Sequence, residues 1–218
     1  MSAAQYLLLG AGTHARVVLD ALRAGGDPVA GCLDPSKPTG PWPSGVPWLG
    51  GDDHLDTLTP GDWRLINCMG STGDTNLRQR VFQDAVARGF SFAVVRHPSA
   101  IIAQDVVIGQ GCQVLAGAIV QTGARLGVNV LVNTGAIVEH DADIADHVHI
   151  APGVTLSGNV SVGVGVHLGT GVVVKQGVTI GANAVIGVGA IVIADVPVGA
   201  CYVGNPARAM VPDGQGTI

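Results

Sequence analysis

From Ala100 to Asp195 the chain divides into sixes without one slip in register: AIIAQD, VVIGQG, CQVLAG and onward to AIVIAD, sixteen hexapeptides over 96 residues. Every third position is Ile, Leu or Val, from Ile102 to Val192, and every first position is Ala, Val or Cys. In an extended strand positions 1 and 3 face the same side, so each unit buries one small and one medium aliphatic side chain. Gly and Asn crowd the remaining positions, where the chain has to turn a corner. A single hexapeptide cannot bury its apolar side alone, whereas coils stacked on one another can. The period therefore predicts a solenoid of very short parallel strands. Composition fits it: 47% apolar residues with only 4% aromatic, and 33 Gly, imply a core of small side chains at close backbone spacing.

The first hundred residues follow another rhythm. YLLLGAG is a short apolar run ending in glycines, and THARVVLDALRAGG after it has helical spacing (Val17, Val18, Ala21, Leu22) with a Gly stop. PVAGCLD and WRLINCMG repeat the strand-then-Gly pattern. DTNLRQRVFQDAVARG predicts a second amphipathic helix, with Leu77, Val81, Phe82, Ala85 and Val86 inward and Arg78, Gln79 and Gln83 outward. FSFAVVRH predicts one more strand, and the Pro-, Gly- and Trp-rich segment 35–51 a surface loop. Alternation of this kind predicts a parallel sheet flanked by helices. The expected division is an α/β Rossmann-like domain over 1–97 and an all-β domain over 98–218.

Gly10-x-Gly12-x-x-Ala15 ends a strand and opens a helix, and Asp34 closes the next strand. Glycines there let backbone approach phosphate, the helix N-terminus favours an anion, and the acid meets a ribose hydroxyl. The competing reading is a tight turn without a ligand. Only one mononucleotide half is present, about ninety residues against the two halves of a dinucleotide fold, so a nucleotide-linked ligand fits better than NAD.

The charge pattern excludes several classes. Eleven basic residues against sixteen acidic ones give a net charge of −5, with no basic patch for nucleic acid. No apolar run reaches the length of a membrane span, and MSAAQYLLLG lacks the basic region of a secretory leader. Cys32, Cys68, Cys112 and Cys201 are scattered and suit a reducing compartment. A cytoplasmic protein is expected.

Polar residues gather in NTGAIVEHDADIADHVHIAPG, residues 133–153, where His140 stands between Glu139 and Asp141 and is followed by His147 and His149. From the residues alone this is a catalytic cluster, a metal site or a polar corner of the solenoid.

GAGTHARVVLDAL, CLDP and INCMGSTGDTNLRQRVF, joined through HPSA to LVNTGAIVEHDADIADHVHIAPG and LSGNVSVG, resemble the bacterial nucleotide-sugar N-acetyltransferases over nearly the whole chain. This hexapeptide-repeat family acetylates the 4-amino group of UDP- or GDP-linked 4-amino-4,6-dideoxy sugars and includes the bacillosamine-pathway and GDP-perosamine enzymes; sialic-acid O-acetyltransferases are related. The resemblance implies a left-handed parallel β-helix with three hexapeptides per 18-residue coil. It also implies acetyl-CoA as co-substrate, no metal, and a homotrimer with active sites between subunits. Within it His140 is the general base and Asp141 the acid that orients it. His149 stands at the acetyl-CoA thioester, and Asn133 contacts substrate. Gly12, Thr13, His14, Asp34, Pro35 and Gly70 match nucleotide-sugar positions. Gly158, Gly204, Pro206 and Arg208 match CoA-binding ones. Asp141 stands where Glu is also found, which shortens the reach, and Thr13 replaces a common small Gly. The overall likeness leans towards a GDP-linked amino sugar such as GDP-perosamine, with a UDP-linked sugar or O-acetylation as alternatives.

The chemistry suits the assignment. An amine attacking a thioester must lose a proton, imidazole titrates near neutrality, and a neighbouring carboxylate fixes its tautomer. For His147 a solvated corner position is expected. A zinc site of the γ-carbonic-anhydrase type is the rival, because His149 and His167 share position 2 and stack 18 residues apart. A non-catalytic nucleotide-sugar sensor leaves the histidine–acid pair idle and ranks last.

Overall fold

The structure, a computed structural model, describes residues 5–39 and 42–210. Residues 1–4 of the segment read for a leader, 40–41 of the predicted loop and 211–218 of the second domain lie outside that range.

The N-terminal part is a parallel sheet of β1 (Gln5–Leu9), β2 (Val29–Leu33), β3 (Trp48–Gly50), β4 (Trp63–Asn67) and β5 (Ser91–Phe92), in the order β3-β2-β1-β4-β5. Alternate residues of β1 face opposite sides. Leu8 packs under α1 (Thr13–Gly25) with Ala15, Val18, Leu19 and Leu22, while Leu7 and Leu9 pack with Phe82 and Ala85 of α2 (Asn76–Ala87). α1 ends at Gly26, whose φ of 77° allows the cap in which its N–H bonds the Arg23 carbonyl. The segment predicted as loop supplies β3 at its end, paired to β2 on the sheet edge.

Two expectations need correction. FSFAVVRH is not one strand: β5 closes the first sheet, while Val95–Arg96 pairs with Gln113–Val114 and opens the solenoid. Ala93 and Val94, each packed against a neighbouring core, carry the chain from one sheet to the other. The buried side of α2 is also rotated. Arg78, Phe82 and Ala85 are its buried residues, whereas Leu77 is 48% exposed. The helical period alone cannot foresee this, because carbonyls at the end of β4 provide partners for a buried guanidinium.

The second part is a parallel β-helix. Each coil pairs in register with the one 18 residues later, as in Ile119↔Ile137 and His149↔His167. Positions 1 and 3 of successive units fill one continuous core, from Cys112 and Val114 to Ala190 and Val192. From Gly111 to Gly189 the sixth position takes positive φ: Gly in nine hexapeptides, Asn129, Asn159 and Asn183 in three, and Asp141 and His147 in two. Without a side chain, or with a short polar one, that conformation carries little strain.

The three faces differ in what they turn outward at position 2. The first presents Gln113, Leu131, His149, His167 and Val185; Leu131 is fully buried under the N-terminal part. The second presents Ile101, Ile119, Ile137, Thr155, Val173 and Ile191, and the third Val107, Arg125, Asp143, Ser161 and Thr179. No helix among the described residues is long and apolar enough to cross a membrane. Cys32, Cys68 and Cys112 are buried free thiols and Cys201 is half-buried; burial pushes the Cys68 thiol up to about 12.

Candidate functional site

The strand order reverses between β1 and β4, and the loops leaving their carboxyl ends flank a crevice where α/β folds commonly bind ligands. In this molecule the floor of the crevice is the first face of the β-helix. The resulting cavity, about 630 Å³, is bordered by Thr13 and His14 of α1, by Gly70 to Gly73 after β4, and by Asn133, His149, His167 and Thr170 of successive coils. A second cavity of about 210 Å³ lies beside it, between Gly12, Thr13, Arg16, Pro38, Thr39 and Trp42. Thr13 borders both.

A chain of amides joins the two halves and fixes two histidines, His14 and His147, as neutral rings. Gln113 Nε2 donates to the Asn67 carbonyl (2.6 Å), so its Oε1 accepts from His14 Nε2 at 3.1 Å. Asn67 Nδ2 donates to the Arg78 carbonyl (2.8 Å) and to Asn129 Oδ1 (3.2 Å), and Asn129 Nδ2 then donates to His147 Nδ1 at 3.0 Å. Each imidazole keeps one hydrogen, placed by its amide neighbour. Burial, then the Arg78 charge, lowers His14 to about 4 against the Gln113 bond. Burial and the neighbouring His167 hold His149 well below the ordinary histidine value. His147 is lowered chiefly by burial. It is no solvated corner residue: it is 5% exposed and meets the edge of Phe82, because α2 covers this corner of the coil.

Arg78 is a functional candidate missed by the sequence reading. It is fully buried, its Nη1 donates to the carbonyls of Asn67 (2.8 Å) and Met69 (3.0 Å), and its Nε and Nη2 have no partner among the described residues. Burial lowers it to about 10, so it remains charged at neutral pH. The only sequence signal was an arginine four residues before Phe82 on the same helix, which the predicted amphipathic pattern treats as solvent-facing.

His149 is held at both nitrogens, with Ser71 Oγ at 2.6 Å from Nδ1 and Asn133 Nδ2 at 3.3 Å from Nε2, and its ring meets that of His167 edge-on at 4.9 Å between centroids. The predicted stacking of these two histidines in successive coils is present. Among the described residues no three His, Cys, Asp or Glu side chains gather in a way that holds a metal ion.

The other predicted residues divide between places. Gly12, Thr13, His14, Gly70, Asn133 and His149 border the cavities. Asp34 is tied to the turn itself: its Oδ2 accepts from the Ala11 N–H (2.8 Å) and its Oδ1 from the Ser36 N–H (3.0 Å), with Pro35 between. Gly204, Pro206 and Arg208 belong to the closing hairpin of Cys201–Val203 and Arg208–Ala209. His140 and Asp141 border neither cavity. They stand at the corner between the second and third faces, with Nδ1 to Oδ2 at 2.8 Å and side chains 49% and 67% exposed. Gly158 lies one coil further along, and a Cβ there would collide with the His140 ring.

Residues 5–85 match the PglD N-terminal domain family. Comparison with proteins of curated function gives no match. Among solved structures, the chain is similar to PerB from Caulobacter crescentus in complex with CoA and GDP-perosamine, at 36% identity over 96% of this chain and 99% of that one, with a TM-score of 0.87. It is similar to the acetyltransferase domain of PglB from Neisseria gonorrhoeae FA1090, at 33% identity over 95% and 100%, TM-score 0.87. WeeI from Acinetobacter baumannii AYE, at 24% identity over 95% and 100% with a TM-score of 0.73, shares the fold. The protein is an acyltransferase. The chain belongs to the nucleotide-sugar N-acetyltransferases of the hexapeptide-repeat family.

Proposed function

We propose that this enzyme moves the acetyl group of acetyl-CoA to the 4-amino group of a nucleotide-linked 4-amino-4,6-dideoxy sugar, with GDP-perosamine the favoured acceptor. The observation that carries the reading is the pair of neighbouring cavities that share Thr13, at the N-terminus of α1. A base in the small cavity, a diphosphate at the helix N-terminus and a sugar in the large cavity suit that arrangement. The similar PerB structure holds CoA and GDP-perosamine. Gly12, Thr13, His14, Asp34, Pro35, Gly70 and Asn133 then serve the nucleotide sugar. His149, Gly158, Gly204, Pro206 and Arg208 serve the CoA side.

In the reaction the amine nitrogen attacks the thioester carbon, a C–N bond forms, the C–S bond breaks and the CoA thiolate leaves. His140 Nε2 takes the proton from nitrogen and returns it to sulfur, while Asp141 holds Nδ1–H. No acyl-enzyme is needed.

The same reading makes the protein a homotrimer of left-handed β-helices working in the cytoplasm, with the division expected at 97/98 falling just after the first solenoid strand, Val95–Arg96. Ile101, at 64% exposed, and Val173, at 40%, belong to the apolar column of the second face, a surface suited to burial against another copy. That face lies between the corner bearing Asn133 and Pro152 and the corner bearing His140. Threefold packing through it sets His140 of one subunit against the cavity of the next, which accounts for its distance from the cavity of its own chain.

The test is a panel of UDP- and GDP-linked 4-amino sugars with acetyl-CoA, read by thiol release, on the parent and His140→Asn. The parent should prefer GDP-perosamine, and the variant should lose about 10²–10⁴-fold in kcat with both KM values little changed. A variant within threefold of the parent refutes the general base. A monomer mass by light scattering with full activity refutes the trimer.

A further inference from the structure

The hydrogen bonds around His149 have a direction that the distances alone do not state. Asn133 Oδ1 accepts from the Thr134 N–H at 2.8 Å, which fixes the amide with its Nδ2 towards the ring. An amide nitrogen only donates, so His149 Nε2, 3.3 Å away, must accept. The ring, kept neutral by burial, then carries its one hydrogen on Nδ1, 2.6 Å from Ser71 Oγ. Ser71 accepts that hydrogen, and its own hydroxyl hydrogen remains free beside the cavity. The order is opposite to that of a nucleophilic serine, whose histidine must present a lone pair to the hydroxyl. His149 cannot take the Ser71 proton in this tautomer.

We propose that Ser71 is a further substrate contact, donating its hydroxyl hydrogen to an oxygen of the nucleotide-linked sugar, with His149 and Asn133 as the residues that position it. This rests on the function proposed above. The sugar is the partner because of where Ser71 sits. It belongs to the loop leaving β4, one residue beyond Gly70, and it borders the same cavity as Thr13 and His14 of α1, where the strand order reverses. That crevice belongs to the ligand of the Rossmann-like half. Both nitrogens of His149 are occupied, so it meets acetyl-CoA by packing alone and its polar influence reaches the sugar through Ser71.

The test uses the full-length enzyme, its Ser71→Ala and Ser71→Thr variants, and GDP- or UDP-linked 4-amino-4,6-dideoxy sugar. Ser71→Ala should raise both the calorimetric Kd and the KM for the nucleotide sugar about tenfold, the size of one lost hydrogen bond. The KM for acetyl-CoA and kcat should stay within twofold, and Ser71→Thr, which keeps the hydroxyl, should recover to within threefold of the parent. Long-range ¹H–¹⁵N spectra of the parent should show His149 protonated at Nδ1 and bare at Nε2. Unchanged sugar binding in Ser71→Ala, equal losses in both variants, an effect confined to acetyl-CoA, or a hydrogen on Nε2 would each overturn the assignment. If the parent binds no nucleotide sugar of either kind, the proposed function falls and this contact falls with it; if the parent binds and Ser71→Ala binds equally, only the contact falls.

Discussion

Gly158→Ala separates two roles that the sequence assigns to neighbouring residues. Gly158 follows His140 by one coil, and its missing Cβ leaves the space that the imidazole fills, with Nε2, Cε1 and Cδ2 all crowding a Cβ placed there. Its backbone φ is not positive, so alanine is sterically acceptable to the chain itself. The collision has to be relieved by the side chain of His140. To restore a carbon contact of about 3.5 Å the ring must swing away by about 1 Å. That breaks the 2.8 Å bond to Asp141 and moves Nε2 off the line of proton transfer. A misplacement of this size costs up to about 10²-fold, less than losing the base altogether. We expect kcat to fall by about 10–10²-fold in a thiol-release assay. The KM for acetyl-CoA should stay within threefold, and the melting temperature should hold because the histidine–aspartate pair is half exposed and worth little in stability. A twofold or smaller change in kcat with a large rise in the KM for acetyl-CoA would refute the reasoning and leave Gly158 as a CoA contact alone.

Two further outcomes follow from other parts of the molecule. Asp34→Ala frees the Ala11 and Ser36 N–H groups and should raise the KM for the nucleotide sugar at least tenfold, with the KM for acetyl-CoA nearly unchanged; equal effects on both would place the nucleotide elsewhere. Acid should destabilise the fold early, because His14 titrates at about 4 when folded and near 6.5 when unfolded. The unfolded chain binds the proton first, so this stability is complete above about pH 6.5 and is lost as the pH falls towards 4, about 3 kcal/mol at full effect. Melting curves should drop across that window and drop less in His14→Gln, where the lowered His147, His149 and His167 still contribute; an unchanged melting temperature from pH 7 to 4.5 would contradict a neutral buried ring.

The solenoid was legible because its period is enforced by covalent spacing: a slip of one residue would turn every position-3 aliphatic out of the core. The Rossmann-like half was legible wherever apolar runs ended in glycine. What escaped were positions decided by a partner distant in sequence. Arg78 looks outward by helical period and is drawn inward by the carbonyls of Asn67 and Met69. His147 looks solvated until Phe82 covers it. Val95–Arg96 continues a strand pattern, yet its hydrogen bonds go to Gln113–Val114 in the other half. Ser71 had no local mark at all, since its bond to His149 spans 78 residues.

The first face of the β-helix also works as a ruler. Gln113, Leu131, His149, His167 and Val185 stand on it one above the other, because each coil is hydrogen-bonded in register to the last. The N-terminal part covers Gln113 and Leu131, so the marks open to a ligand are His149, His167 and Val185, which span about 10 Å at about 4.8 Å per coil. A ligand lying along this face is measured in fixed steps. Changing one mark alters what is tolerated at one distance and leaves the others where they were. Length and chemistry can thus diverge separately: a substitution at Val185 tunes the far end of a long ligand, while inserting three hexapeptides would move every later mark by one step without disturbing the core that holds them.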